Sequence, residues 1–174
     1  MSARPIRKER WYPHPPEKVW VALTDPRALA EWLMPNDFEP RVGHKFRFQV
    51  DPMPGCVTVT LCEVLEVDRP RRLVWSWLPT YEKRLHPPGT KPSTVTWTLE
   101  PERGGTRLRF VHDGLDVHPW WQRFMLRFGW GTMMKRMIPR VAANVADDGT
   151  FTPGAYPLEK RCYKCNTIPA NLTR

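Results

Sequence analysis

The sequence predicts an α+β domain in which a curved antiparallel sheet of about six strands wraps around one long C-terminal helix. Three observations carry this. Apolar residues alternate with polar ones at a period of two through most of the stretch from Phe46 to His112. Turn residues, not helices, separate those runs. Only one later segment, Pro119 to Val145, is long and apolar enough to cover the dry face that such a sheet must have.

The chain has 174 residues, 41% of them hydrophobic and 26% charged. That is enough for one buried core and too apolar for a disordered chain. No apolar run is long enough to span a bilayer, and the N-terminal residues lack the apolar stretch of a signal peptide, so a cytoplasmic address is expected. Four scattered cysteines do not resemble a disulfide framework and are expected to be reduced. The net charge of +9 favours contact with something acidic, without saying whether that is nucleic acid, lipid headgroups or protein.

The 20 prolines mark element ends. Arg4 to Tyr12 is an extended segment closed by Pro13, Pro15 and Pro16. Pro16 suits the first turn of a short helix over Glu17 to Thr24. Asp25 caps a second helix, whose apolar face is Leu29, Trp32 and Leu33 and which stops at Pro35. Phe46, Phe48 and Val50 line one face of the next strand, and Val57, Val59 and Leu61 line one face of the strand after it. Continuing that odd-numbered face places Glu63 among Leu61, Leu65 and Val67. Either a bulge near Cys62 returns Glu63 to solvent, or a carboxylate faces the interior with a raised pKa.

Beyond the turn at Arg69-Pro70-Arg71, Leu73, Trp75 and Trp77 share a face. Pro79 to Pro92 is a long polar loop of the kind that forms binding lids. Val95, Trp97 and Leu99 line a fifth strand; after a turn at Gly104-Gly105, Leu108, Phe110 and His112 line a sixth. In the long helix, Trp121, Phe124, Met125 and Phe128 recur at helical spacing, continued by Trp130, Met133, Met134, Met137, Ile138 and Val141. Pro139 is expected to kink or shorten its end. The periodicity ends by Gly149, so residues 1–149 read as the domain and 150–174 as a C-terminal tail.

Several runs in this order resemble the START-like (SRPBCC) superfamily, in the branch related to the activator of the heat-shock protein 90 ATPase. They are PPEKVWVALTDP at 15–26 with Trp32, VLEVDRPRRLVWSW at 64–77, STVTWTLEP at 93–101, GGTRLRFVHDG at 104–114, and Gly129-Trp130. The resemblance covers about Arg4 to Ala146 and implies a helix-grip fold with a cavity between sheet and helix. Across the superfamily such cavities take lipids, polyketides, hormones and other hydrophobic molecules. It brings no catalytic residues with it.

A small hydrophobic or amphipathic ligand is therefore expected, bound by Trp32, Phe48, Trp75, Trp77, Trp97, Phe110, His112, Trp121, Trp130 and Met134. Nine tryptophans exceed what close packing needs, although each one singly is explained by the core. His112 reads as a polar group at the cavity mouth or as a structural histidine bonded to backbone. Neither Ser76 nor any cysteine has an evident base beside it, so a nucleophilic hydrolase is not expected. Cys162 and Cys165 have the spacing of half a zinc knuckle with no second pair, so no metal and no cofactor are assigned.

Arg123, Arg127 and Lys135, with Arg136 and Arg140, give the helix a basic stripe. It is either a solvated face or a dock for an acidic protein partner, the chaperone being the one the resemblance implies. No nucleic-acid module is present, and oligomeric state is not readable. A binding protein is favoured over an enzyme. The alternatives are a module stimulating the chaperone ATPase, and a polyketide cyclase or dehydratase, which needs Glu63 or His112 to face inward.

Overall fold

The computed structural model describes residues 3–51, 59–80, 86 and 89–161. Six strands form one sheet: β1 (Ile6–Tyr12), β2 (Lys45–Gln49), β3 (Val59–Asp68), β4 (Arg72–Thr80), β5 (Ser93–Glu102) and β6 (Gly105–Asp113). Their spatial order is β1-β6-β5-β4-β3-β2, and every pairing is antiparallel. Strands β2 to β6 form the expected meander. Strand β1 closes the far edge against β6, because the two helices that follow it, α1 (Pro16–Thr24) and α2 (Pro26–Trp32), carry the chain across the concave face before β2 begins. Asp25 caps α2 as the sequence predicts, its carboxylate accepting from the backbone N–H groups of Arg27 and Ala28.

The β5–β6 hairpin turns at Arg103 and Gly104, both at positive φ. Gly105, next to the turn, lies so close to the Tyr12 carbonyl and the Trp11 ring that a Cβ there would collide with backbone. That close approach lets β1 seat against β6.

Strand β3 differs from the sequence reading. Its even-numbered residues Thr60, Cys62 and Val64 are buried, while Leu61 and Leu65 are 44% and 45% exposed on the outer face. Glu63 therefore points outward with no bulge near Cys62. The bulge comes later, between Val64 and Glu66, and turns Val67 back toward the core. Both faces of this strand carry apolar side chains, so alternation cannot choose between them. The small Thr, Cys and Val side chains fit beneath the rings of Phe46, Phe48, Trp75 and Trp77. Val57 lies outside the described residues, as does most of the expected lid between Thr80 and Gly89.

The long helix runs in three parts: α3 (Trp120–Thr132), a π-helical turn (Met133–Met137) and α4 (Ile138–Ala143). Pro139 has no N–H to donate and its ring would press on the carbonyl one turn back; the wider π turn just before it relieves both problems. Met133, Met134, Met137, Ile138 and Val141 are buried in the core, with α4 packed against α1 and α2. None of the helices is long and apolar enough to cross a membrane among the described residues.

Residues 150–161 lie on the domain. Phe151 is buried and bridges Val145. The carboxylate of Glu31 in α2, only 1% exposed, accepts from the backbone N–H groups of Gly154 (2.6 Å) and Tyr156 (2.8 Å), with Arg161 at 3.8 Å. Residues 162–174, including Cys162 and Cys165, lie outside the description.

Candidate functional site

The concave face of the sheet is built from bulky aromatics because β4, β5 and β6 all place aromatic side chains on that face, staggered so that they interlock. Trp97 pairs with Leu73 on one side and with Phe110 on the other, and Trp75 pairs with Val95. Trp97 is the hub: its ring lies 4.6 Å from Phe110, 5.8 Å from both Trp32 and Trp130, and 6.1 Å from Trp75. Phe110 and Trp130 are themselves 4.6 Å apart, and Trp77 lies 5.5 Å from Trp130. These are the separations at which tilted and edge-on rings attract. Trp32, Phe48, Trp75, Trp77, Trp97, Phe110, His112, Trp130 and Met134 are all buried in this body.

Trp121 is not. It is 42% exposed, as are its neighbours Trp120 (79%), Phe124 (67%), Met125 (59%) and Phe128 (70%). The expectation that Trp121, Phe124, Met125 and Phe128 cover the sheet is therefore corrected: in α3 only Gln122 and Trp130 are buried. Trp121, Phe124, Met125 and Phe128 share one helical stripe, but spacing alone does not say whether the stripe faces the sheet or the solvent. Gln122 goes in because a buried imidazole four residues earlier offers it a partner.

That imidazole belongs to a polar group set into one end of the aromatic body. The hydroxyl of Ser93, fully buried at the start of β5, lies 2.8 Å from the Trp77 carbonyl, 2.9 Å from His112 Nε2 and 3.0 Å from His118 Nε2. The indole N–H of Trp130 donates to His112 Nδ1 at 3.2 Å, and His118 Nδ1 lies 2.9 Å from the Gln122 side-chain oxygen. Since Trp130 donates to Nδ1, the His112 proton sits on Nε2 and points at Ser93.

Two proton arrangements then satisfy the imidazoles. With the Ser93 proton on the Trp77 carbonyl, Ser93 accepts from both histidines and the Gln122 amide turns its NH₂ toward His118. With that proton turned to His118 Nε2, His118 donates from Nδ1 to the Gln122 oxygen. In either arrangement the ring nitrogens and the Ser93 proton are satisfied within the group, which ties β4, β5, β6 and the first turn of α3 together.

Burial, reinforced by His118 close by, pushes His112 down to about 3, so its ring is neutral at ordinary pH. Burial also lowers His118, partly offset by its bond to Gln122. Among the described residues, no carboxylate is bonded to either ring.

A second feature lies deeper. The indole N–H groups of Trp75 and Trp97 are buried and meet no acceptor among the described residues. Buried donors are nearly always paired, and an unpaired one costs about 1–3 kcal/mol. Elsewhere, Cys62 is buried and its thiol is pushed well up by burial, so it is not a nucleophile. No cluster that could hold a metal ion occurs among the described residues. An open depression of about 500 Å³ lies toward the outer face of β2, β3 and β4, around Arg47, Leu61, Glu63 and Leu78.

Of these residues His112 and Trp130 were expected at the site from the sequence, and Ser93, His118 and Gln122 were not. The available signal was the His118-Pro119 step opening the helix with Gln122 four residues after the histidine, a pair on one side of the first turn.

The comparisons agree with this architecture. Protein MLL2253 from Mesorhizobium loti is 36% identical, covering 78% of this chain and 94% of its own, with a TM-score of 0.66. BH1534 from Bacillus halodurans is 27% identical over 79% of this chain and 97% of its own (TM-score 0.61). CalU16 from Micromonospora echinospora is 26% identical over 76% and 73% (TM-score 0.56). No curated protein matches the sequence. The fold is a START-like helix grip, an architecture capable of holding a ligand in the groove between sheet and helix. The model of one family matches residues 13–141, and the chain belongs to that family, the Activator of Hsp90 ATPase homolog 1-like proteins.

Proposed function

We propose that the chain binds a small amphipathic molecule in the groove between the sheet and α3. The apolar part lies against Phe110 and Trp130, and an acceptor atom of its polar end reaches the indole N–H groups of Trp75 and Trp97. The observation that carries this is the pair of buried indole N–H groups at Trp75 and Trp97. An acceptor brought in by a ligand would remove a cost the free protein bears. Gln122 and Trp130 are the buried residues of α3, so entry requires the displacement of Trp130 and the first turns of the helix. Native mass spectrometry and tryptophan-fluorescence titration with oleate and with fused-ring aromatic acids test it. A stoichiometric complex with at least one class is expected, weakened by Trp97→Phe, while no complex with either class would count against it.

A second reading is a module that stimulates the ATPase of the heat-shock protein 90 chaperone. The family description points to this role more directly than to the first, and the exposed cations Arg127, Lys135 and Arg136 supply an acidic partner's complement. Chaperone ATPase measured at saturating protein decides it: stimulation lost on Arg127→Glu supports the role, and an unchanged rate removes it.

A further inference from the structure

From the outward face of α3 we infer that this protein docks on an anionic lipid surface, with the helix lying along the headgroup boundary. Trp120, Trp121, Phe124, Met125 and Phe128 follow the spacing i, i+1, i+4, i+5, i+8 and so form one stripe. All five are large, and their exposures run from 42% to 79%. The residues that turn inward, Gln122 and Trp130, lie on the opposite side. A helix in a water-facing position would present polar residues here; this one presents the largest apolar side chains it has.

Charge says what covers the stripe. Between Asp116 and Asp147 there is no acidic residue, while α3 to α4 carries Arg123, Arg127, Lys135, Arg136 and Arg140. Arg127 is exposed directly beside Trp120 and Phe124 on the helix surface. Strand β1 adds Lys8, whose ammonium lies against Gly131, and the exposed Arg10.

The acids near these strands are engaged elsewhere. Glu9, Glu100 and Glu102 pair with Arg107 and Arg109. The stripe is therefore flanked by unneutralised positive charge. A second copy placed face to face would set these cations against themselves. The stripe is also a ridge of separate bulky side chains on the side of α3 turned away from the sheet. A ridge inserts into a soft layer without needing a matching groove. Tryptophan, phenylalanine and methionine on one side with arginine and lysine beside them is the composition of helices that lie in the membrane interface.

Co-sedimentation of the full chain with vesicles tests this. Phosphatidylglycerol-containing vesicles are expected to pull the protein down at low salt, with a blue shift in tryptophan emission, and pure phosphatidylcholine vesicles are not. Raising salt weakens binding, as screening requires. The combined variant Trp120→Ala, Phe124→Ala, Phe128→Ala changes only exposed positions, so its thermal unfolding should match the parent while its vesicle affinity falls about a hundredfold. Arg127→Glu should lower affinity about tenfold.

Equal binding to both vesicle types, or full binding by the triple variant, overturns the inference. So does a failure to bind acidic vesicles together with either a homodimer abolished by the triple variant or capture by an acidic protein. Ligand uptake in the groove is scored separately by native mass spectrometry, so one result does not decide the other.

Discussion

Replacing Ser93 by alanine removes one oxygen and leaves three buried partners short. In the parent that oxygen serves the Trp77 carbonyl and both the His112 and His118 Nε2 atoms, all within 3.0 Å. Each buried polar group left without a partner costs about 1–3 kcal/mol. The three share one site and relax together, so the sum overstates the loss; about 3–5 kcal/mol is expected. For a domain of this size each kcal/mol moves the melting temperature by about 2–4 °C, so Ser93→Ala should melt about 6–20 °C below the parent. Calorimetry or circular dichroism measures it, with urea unfolding as a check on the free energy. A change within about 0.5 kcal/mol, the range of ordinary surface substitutions, would refute the claim that Ser93 ties the two histidines and the first turn of α3 to the sheet.

Acid should destabilise the protein before its carboxylates titrate. His112 is held at about 3 when folded, against an ordinary 6.5, and His118 and His14 are lowered too. The unfolded state thus binds more protons below pH 6.5, and the stability His112 contributes is full above that pH and lost as pH falls toward 3, with His118 and His14 acting in the same direction. Over that window His112 alone steepens the loss by about 1.4 kcal/mol per pH unit. Urea midpoints between pH 7 and 5 test this, and a flat profile contradicts it. Glu31→Ala leaves the Gly154 and Tyr156 N–H groups without their acceptor. It should cost about 2–4 kcal/mol and expose residues 150–161 to limited proteolysis; unchanged cleavage would show that Glu31 does not hold that segment.

The strands were legible where one face is apolar and the other is not. Leu73, Trp75 and Trp77, then Val95, Trp97 and Leu99, then Leu108 and Phe110, lie inward as their alternation predicts. Strand β3 was not legible because Thr60, Cys62 and Val64 compete with Leu61 and Leu65 for the core, and the size of neighbouring rings decides it. The face of α3 was not legible for a related reason: helical spacing groups Trp121, Phe124, Met125 and Phe128 on one stripe without saying whether that stripe turns inward, and the bonds available to Gln122 and Trp130 turn the opposite side in. Ser93 stood out in no way in a run of alternating threonines. Only the fold brings it within reach of two histidines from different elements.

The groove reading is tested most directly at the two indoles themselves. In ¹H–¹⁵N spectra the Nε1 signals of Trp75 and Trp97, assigned by Trp→Phe variants, should shift together when oleate or a fused-ring aromatic acid is added. The Nε1 signal of Trp32, bonded to the Ala22 carbonyl, should stay put. If instead saturating ligand leaves Trp75 and Trp97 unmoved and shifts only Trp120 and Trp121, the groove is not the binding site and the outer face of α3 is.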